Sequence, residues 1–307
     1  MGTPDFSVPI LTMLHDAGYS ILAVVTQPDR PVGRKKVLTP TPVKKEALRL
    51  GLPVLQPEKL KGSQQLDEIL ALQADIIVTA AFGQILPKEL LDAPKFGCLN
   101  VHASMLPAYR GGAPIHQAII DGQLETGVTI MYMAQKLDAG DIISQKAIPI
   151  EFTDSTGILF EKLSKVGCDL LQETLPTILN NTNARIVQDE NLVTFARNIS
   201  REQEKIDWNR SALDIYNQVR GLNPWPVAYT TLKQEAVKVW WGQPSLQSYT
   251  HPIGSVVELK VDRVIVQTGF EQAFEITELQ PAGKKKMSAE EFLRGTGSKL
   301  QIGDQFQ

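Results

Sequence analysis

The stretch LNVHASMLP, residues 99–107, has the pattern of a strand end that runs into a loop turned by a proline. Side chains alternate between the two faces of a strand, so Asn100 and His102 share one face while Val101 points to the other. An amide and an imidazole then stand together at the carboxyl end of the strand, where open α/β sheets place their ligand crevice. The stretch therefore indicates a site at the edge of an α/β sheet.

Strand-like and helix-like segments alternate on both sides of this stretch. The predicted strands are residues 21–25, 53–55, 76–81, 98–102 and 127–133. The predicted helices are residues 7–17, 42–50, 63–72, 111–121 and 156–179. This alternation is typical of an α/β fold with a doubly wound, mostly parallel sheet.

Asp138 lies in the loop that follows the predicted strand 127–133. An Asn and a His near a strand end, taken alone, are more often satisfied polar groups than a site. If adjacent strands carry the two loops, however, Asp138 reaches His102. A carboxylate that orients an imidazole, with the amide of Asn100 beside it, can stabilise an oxyanion and move protons in acyl transfer.

Six ordered blocks of the chain resemble the formyltetrahydrofolate-dependent formyltransferases, and among them the enzymes that formylate methionyl-tRNA. The longest block, NVHASMLPAYRGGAPI at residues 100–115, is similar to the signature of that family. The other blocks are GTPDF at 2–6, TQPDRP at 26–31, LDAGD at 137–141, NPWP at 223–226 and LQPAGKK at 279–285. The resemblance thus covers nearly the whole chain in order.

The resemblance implies a site for formyl transfer from 10-formyltetrahydrofolate to the α-amine of methionine on initiator tRNA, without a metal. It implies that Asn100 and His102 hold the oxyanion, and that Asp138 orients the imidazole and accepts a proton through a water. The residues that it implies for folate contact are Ser104, Met105, Leu106 and Pro107. Met105 stands where the family usually has Leu, a swap of similar volume.

Basic residues are concentrated in one segment of a chain whose formal net charge is only −3. Residues 29–49 contain seven Lys or Arg against two acids. Such a run is usually a solvated surface, but the resemblance places this loop, one residue shorter than in many relatives, against the acceptor arm of the tRNA. The residues expected to bind tRNA are Arg34, Lys35 and Lys36 in this loop, and Lys284 and Lys285 further along.

The length of 307 residues suffices for two domains. We expect a catalytic domain at residues 1–183, a linker at 184–205 and a tRNA-binding domain at 206–307. Five short β-rich runs in the last part predict a small β-barrel, which the resemblance implies to be of the oligonucleotide-binding type. These runs are residues 227–232, 237–241, 255–259, 264–268 and 274–279.

The family normally has a short apolar strand ahead of the Gly-Thr-Pro-Asp turn, whereas here Met1 leads directly into that turn. We therefore expect the first strand of the sheet to be missing. Without it, the predicted strands 21–25 and 76–81 would present unpaired apolar edges, and the chain would fold poorly.

Cys98 and Cys168, the two cysteines, have no metal-like spacing and predict no disulfide framework, which suits a reducing compartment. The chain has no apolar run of 18 residues, so we expect no membrane association. We expect a cytoplasmic monomer of bacterial type, with organellar import left open. Two other functions remain: a formylfolate-dependent transferase or hydrolase that acts on a small molecule, and a non-catalytic RNA- or folate-binding protein.

Overall fold

A computed structural model describes residues 1–33 and 35–307, and the chain divides into two compact units, each built from separate stretches. The first unit comprises Met1–Pro114, Thr126–Ile148 and Phe160–Ala196. The second comprises Ile115–Glu125, Pro149–Leu159 and Arg197–Gln307.

The five helices predicted above lie close to helices of the structure. The helices of the described residues are α1 (Val8–Asp16), α2 (Pro42–Arg49), α3 (Gln64–Ala71), α4 (Lys88–Asp92), α5 (Pro114–Ile120), α6 (Thr156–Leu179), α7 (Arg201–Glu204), α8 (Ala212–Gly221) and α9 (Ala289–Arg294). Local capping fixes several starts, because a side-chain oxygen at the N-cap accepts a hydrogen bond from a free amide of the first turn. Thr41 and Ser63 do so for α2 and α3.

The sheet of the first unit is mixed. The strands in the first half of the chain are β1 (Val24–Val25), β2 (Arg30–Val32), β3 (Val37–Thr39), β4 (Val54–Leu55), β5 (Ile77–Thr79), β6 (Cys98–His102), β7 (Glu125–Tyr132) and β8 (Ile142–Pro149). β1 pairs in parallel with β4, and β5 with β6, whereas β7 is antiparallel to β6. The order β5-β6-β7-β8 places β6 inside the sheet, with a hydrogen-bonded strand on each side.

Met1 and Gly2 lie between β1 and β5. The Gly2 amide donates to the Val25 carbonyl at 3.0 Å, and the Ala80 amide donates to the Met1 carbonyl at 3.0 Å. Beside these two residues is a cavity of about 430 Å³. Apolar side chains dominate its lining, among them Ile10, Leu11, Val24, Ile77 and Leu175. Met1 and Gly2 thus connect β1 and β5 through backbone hydrogen bonds, and an apolar cavity lies next to them.

The second unit contains an antiparallel sheet. Its strands are β9 (Tyr229–Leu232), β10 (Glu235–Pro244), β11 (Val256–Lys260), β12 (Arg263–Gln267), β13 (Ala273–Pro281) and β14 (Met287–Ser288). The five predicted strands are confirmed, in the order β11-β12-β13-β10-β9, and the short β14 pairs with β13. Where the sequence predicts a small barrel, the structure shows this six-stranded sheet around a core that includes Trp208, Phe274 and Phe306.

Candidate active site

Asn100 stands on β6 directly opposite Thr79 of the parallel strand β5. The Thr79 hydroxyl donates to Asn100 Oδ1 at 2.9 Å. The same hydroxyl lies 2.8 Å from the Leu99 carbonyl, so its one hydrogen is shared between two acceptors, and the amide of Asn100 is placed with its oxygen toward Thr79. In the part of the chain that the structure describes, no acceptor takes the Nδ2 group of Asn100, so this donor is available to a ligand.

His102 is buried at the end of β6, and both of its ring nitrogens have polar neighbours. Nε2 lies 3.1 Å from the Tyr109 carbonyl oxygen, to which it can donate. Nδ1 lies 3.8 Å from Asp138 Oδ2. That separation exceeds a hydrogen bond, so the imidazole and the carboxylate face each other without a direct bond. The expected approach of Asp138 to His102 is confirmed, while the catalytic roles of both stay predictions.

Asp138 is held in an unusual conformation. Its backbone φ is 47°, in the left-handed region that non-glycine residues seldom adopt. Its Oδ2 accepts a hydrogen bond from the Gly111 amide at 2.9 Å. Gly140, in the same loop, has no room for a side chain, because a Cβ there would lie 1.9 Å from the Tyr132 carbonyl oxygen. The loop is therefore tightly constrained where it presents the carboxylate.

Gln188 and Arg110 complete this arrangement, and sequence reasoning missed both. Gln188 Nε2 donates to the carbonyl oxygens of Asp138 and Gly140 at 2.8 and 2.7 Å. Arg110 is fully buried and donates to Gln188 Oε1 and to Glu190. Hydrogen bonds from Lys136 and Arg110 hold the pKa of Glu190 below its usual range. Arg110 belongs to the 100–115 block, but no pattern in the sequence singles out Gln188.

The predicted folate loop turns half of its side chains inward. Ser104 and Leu106 are buried, and the Ser104 hydroxyl donates to the Ala108 carbonyl at 2.7 Å. Met105 and Pro107 are partly exposed. The surface that this loop offers is consequently apolar, and contact with folate by any of its four residues stays a prediction.

The basic segment is not the long loop that the sequence predicts. β2 and β3 form an antiparallel hairpin, in which the Lys36 amide donates to the Gly33 carbonyl at 3.0 Å. Lys35 and Lys36 are exposed at its turn. Arg34, predicted to bind tRNA, lies outside the described residues.

The basic excess of residues 29–49 is partly neutralised. Arg30 pairs with Glu58, Lys44 with Asp29 and Arg49 with Glu46, at 2.6 to 2.7 Å between the charged atoms. Hydrogen bonds from Gln56 and Lys44 hold the pKa of Asp29 below its usual range. The basic residues that expose an unpaired charge to solvent are thus fewer than the seven that the sequence count includes, and Lys35 and Lys36 at the hairpin turn are among them.

Lys284 and Lys285 are exposed in the turn between β13 and β14. Their neighbour Lys286 pairs with Glu278. Its ammonium also lies 5.2 Å from the centre of the Trp240 ring, within the roughly 6 Å of a cation–π contact. Lys286 therefore makes its contacts within the protein, whereas Lys284 and Lys285, the predicted tRNA-binding residues, expose their charges to solvent.

Cys98 is a structural residue. Its thiol is buried and donates to the Leu90 carbonyl, and burial raises its pKa to about 12, so it is not a nucleophile. Within residues 1–33 and 35–307, His, Cys, Asp and Glu form no group of three that could hold a metal ion. No helix in the same residues has the length and apolarity to cross a bilayer.

Comparison with solved structures gives the fold. A sugar 3N-formyl transferase crystallised with dTDP and 5-N-formyl-THF superimposes with a TM-score of 0.67 at 20% identity, over 92% of this chain and 97% of that one. An N-formyltransferase from Helicobacter canadensis, in complex with folinic acid and dTDP-3-aminofucose, gives a TM-score of 0.66 at 18% identity, over 91% and 97%.

Comparison of sequences gives the family. A family model described as formyl transferase matches residues 1–175, and one described as formyl transferase, C-terminal domain, matches residues 198–297. Methionyl-tRNA formyltransferase of Lysinibacillus sphaericus is 67% identical over 100% of this chain and 98% of that protein. Methionyl-tRNA formyltransferase of Bacillus cytotoxicus is 58% identical over 99% and 96%. The chain therefore belongs to the formyl transferase family, and it shares its whole length with methionyl-tRNA formyltransferases of that family.

Proposed function

We propose that this chain transfers the formyl group of 10-formyltetrahydrofolate to the α-amino group of methionine on initiator tRNA, and that it does so as a cytoplasmic monomer. The observation that carries the proposal is the convergence of Asn100, His102 and Asp138 at the carboxyl end of β6. The full-length similarity to methionyl-tRNA formyltransferases supports the choice of acceptor.

Asn100 supplies the donor for the oxyanion. When the amine attacks the formyl carbon, the carbonyl oxygen gains negative charge, and a fixed N–H donor lowers the energy of that state more than that of the substrate. Asn100 Nδ2 is such a donor, because the bond from Thr79 to Oδ1 holds the amide in place before the substrate arrives.

His102 acts on the charge of the oxyanion, and Asp138 acts on the proton that the attacking amine loses. The attacking nitrogen must lose a proton as the new C–N bond forms, and the carboxylate of Asp138 accepts it through a water. The bond between the formyl carbon and N10 of the folate then breaks, and N10 takes up that proton as tetrahydrofolate leaves. The ring of His102 is held between the Tyr109 carbonyl, 3.1 Å from Nε2, and Asp138 Oδ2, 3.8 Å from Nδ1. In this proposal the imidazole lies beside the Asn100 amide on the same strand face and stabilises the oxyanion together with it.

The folate lies against the 104–107 loop in this proposal. The polar groups of that loop are used within the protein: the Leu106 amide donates to Thr129 Oγ1, and Gln145 donates to the Leu106 carbonyl. What remains on the surface is the apolar body of Met105 and Pro107, which suits the flat face of a pterin ring.

The tRNA is held by exposed cations in this proposal. Lys35 and Lys36 on the β2–β3 hairpin, together with Arg34, contact phosphates of the acceptor arm, and Lys284 and Lys285 form a second phosphate contact. Such contacts release counterions and so make binding sensitive to salt. The first compact unit, which extends to Ala196 and so includes part of the predicted linker 184–205, carries out the reaction, and residues 206–307 bind tRNA.

The acceptor is tested directly with purified protein and 10-formyltetrahydrofolate. Methionyl initiator tRNA should be formylated, as seen by acid-gel mobility, whereas glycinamide ribonucleotide should consume no formyl donor. Formylation of the ribonucleotide alone would make the chain a small-molecule transferase. Loss of the formyl group without any acceptor would make it a hydrolase, and binding of either substrate without turnover would make it a binding protein.

A further inference from the structure

The geometry points to Gln188 as a positioning residue for the catalytic carboxylate of Asp138. This inference rests on the proposed function, because it assigns to Gln188 the placement of a group whose role is proposed above. Gln188 does not touch the reacting atoms in this scheme. It acts on the backbone of the loop that presents Asp138 to His102.

The backbone of Asp138 requires an external restraint. A non-glycine residue at φ 47° is strained and persists where its surroundings over-determine it. The Gln188 amide is placed to provide this, since its two N–H donors bind the carbonyls on either side of the turn, those of Asp138 and Gly140. Both bonds are short, at 2.8 and 2.7 Å.

Gln188 is itself locked in one orientation. Its Oε1 accepts from Arg110 Nε at 3.0 Å and from Arg110 Nη2 at 2.8 Å. A guanidinium has donors only, so the amide cannot be flipped without setting its NH₂ against Arg110 and its oxygen against two carbonyls. Gln188 is 6% exposed and Arg110 fully buried, so water cannot easily replace either set of bonds.

The backbone on either side of Gln188 is bonded to two segments: the region just beyond the loop that carries Asp138, and the turn whose Gly111 amide binds the Asp138 carboxylate. At one end, Ile186 exchanges two backbone hydrogen bonds with Ile142, just beyond the Asp138 loop. At the other end, the Arg110 and Ala113 amides donate to the carbonyls of Thr194 and Ala196. The second set fixes the turn that contains Gly111, whose amide binds Asp138 Oδ2. The segment 186–196 therefore restrains the loop carrying Asp138 and the donor that its side chain binds.

Two substitutions at Gln188 remove the donors in different ways. Gln188→Glu keeps the shape and an acceptor for Arg110, but it replaces the NH₂ by an oxygen. Gln188→Met keeps the length without adding charge. Since a displacement of about 1 Å can cost on the order of 10²-fold in rate, kcat should fall about 10- to 100-fold in both. The KM for each substrate should change less than about twofold, because neither substrate contacts Gln188.

Gln218 provides a matched control. It is a buried glutamine of α8, 4% exposed, and its Nε2 also donates to two backbone carbonyls, those of Gln203 and Lys205. Gln218→Glu should lower the melting temperature as Gln188→Glu does, yet leave kcat unchanged. A loss of kcat that merely tracked stability would appear in both variants.

A double-mutant cycle separates the inference from the proposed function. If Gln188 acts through Asp138, Gln188→Met should change kcat less than about twofold in an Asp138→Ala background, because coupled residues are not additive. A further tenfold loss there, or wild-type kcat in the Gln188 single variants, would overturn the positioning role alone. Wild-type kcat in Asp138→Ala by itself would overturn the catalytic role proposed for Asp138, and the positioning role with it, whereas the proposed function is overturned separately if the wild-type chain fails to formylate methionyl initiator tRNA.

Discussion

At the scale of single residues, the Asn100 amide tests the oxyanion assignment. Removing one preorganised donor costs roughly 2.7 to 4 kcal/mol of transition-state stabilisation, so Asn100→Ala should lower kcat by about 10² to 10³. KM should change little, because the bond is made chiefly in the transition state. His102→Ala should also lower kcat by about 10² or more, because it removes the imidazole that lies beside the oxyanion and faces Asp138. The measurement is steady-state formylation of methionyl initiator tRNA.

Asn209 gives the control for this prediction. It is an exposed amide in a surface turn, bonded to Asp207, and Asn209→Ala should retain wild-type kcat. Thr79→Val leaves Asn100 in place but removes the hydroxyl that orients it, so an intermediate loss of kcat is expected. Turnover near wild type in Asn100→Ala would exclude this residue as the oxyanion donor.

At the scale of elements, the β2–β3 hairpin should decide how tRNA binding depends on salt. Replacing Arg34, Lys35 and Lys36 by Ala removes three charges, and the slope of log K against log salt becomes shallower by about 0.7 to 0.9 for each phosphate that the variant no longer neutralises. The KM for methionyl initiator tRNA should rise and its salt dependence flatten, while folate affinity stays the same. Both are measured by titration at several salt concentrations.

Lys45 offers a comparison for the hairpin variant. It lies on α2, in the same basic segment but away from the hairpin turn. Lys45→Ala should change the salt slope less than the triple variant does. If the triple variant loses activity equally toward a minimal acceptor without tRNA, the hairpin serves folding or catalysis instead of tRNA binding.

At the scale of the whole molecule, the cavity between β1 and β5 should accept an added strand. The amides of Val24 and Thr26 donate to the β4 side, so strand alternation turns the Val25 amide toward the cavity. If four apolar residues are fused ahead of Met1, the burial of each side chain stabilises the fold by roughly 1.5 to 3 kcal/mol. Chain ordering, at roughly 1 to 2 kcal/mol per residue, offsets most of this, and ladder hydrogen bonds at about 1 kcal/mol each bring the gain in the free energy of unfolding to the order of 5 kcal/mol.

Calorimetry checks this expectation. At about 2 to 4 °C per kcal/mol, the melting temperature should rise by about 10 to 20 °C. An extension of four serines has the same length but little to bury, and it should leave the melting temperature within about 2 °C. Equal melting temperatures for the two extensions would mean that the cavity does not bind a strand.

Local patterns in the sequence were sufficient for the longer helices, for most of the strands and for the main groups of the site, but not for the β2–β3 hairpin, which the sequence predicts as a loop. The period of two along Cys98–His102 placed Asn100 and His102 on one face, because side-chain alternation in a strand depends only on the strand itself. The start of α2 can be read along the chain for the same reason, since a cap and its amide are three residues apart. The loop after the predicted strand 127–133 indicated Asp138, the resemblance implied its role, and the 3.8 Å separation from His102 agrees with that position.

Only the tertiary structure decided how those groups are held. Gln188 is 50 residues from Asp138 and 78 from Arg110 in the chain, and no local spacing links them. The ion pair of Arg30 with Glu58, an acid outside residues 29–49, likewise reduces a charge excess that the sequence could only count. Alternation and capping act between near neighbours and can be read along the chain. Buried hydrogen bonds and ion pairs depend on which distant segments folding brings together, so they become visible only in three dimensions.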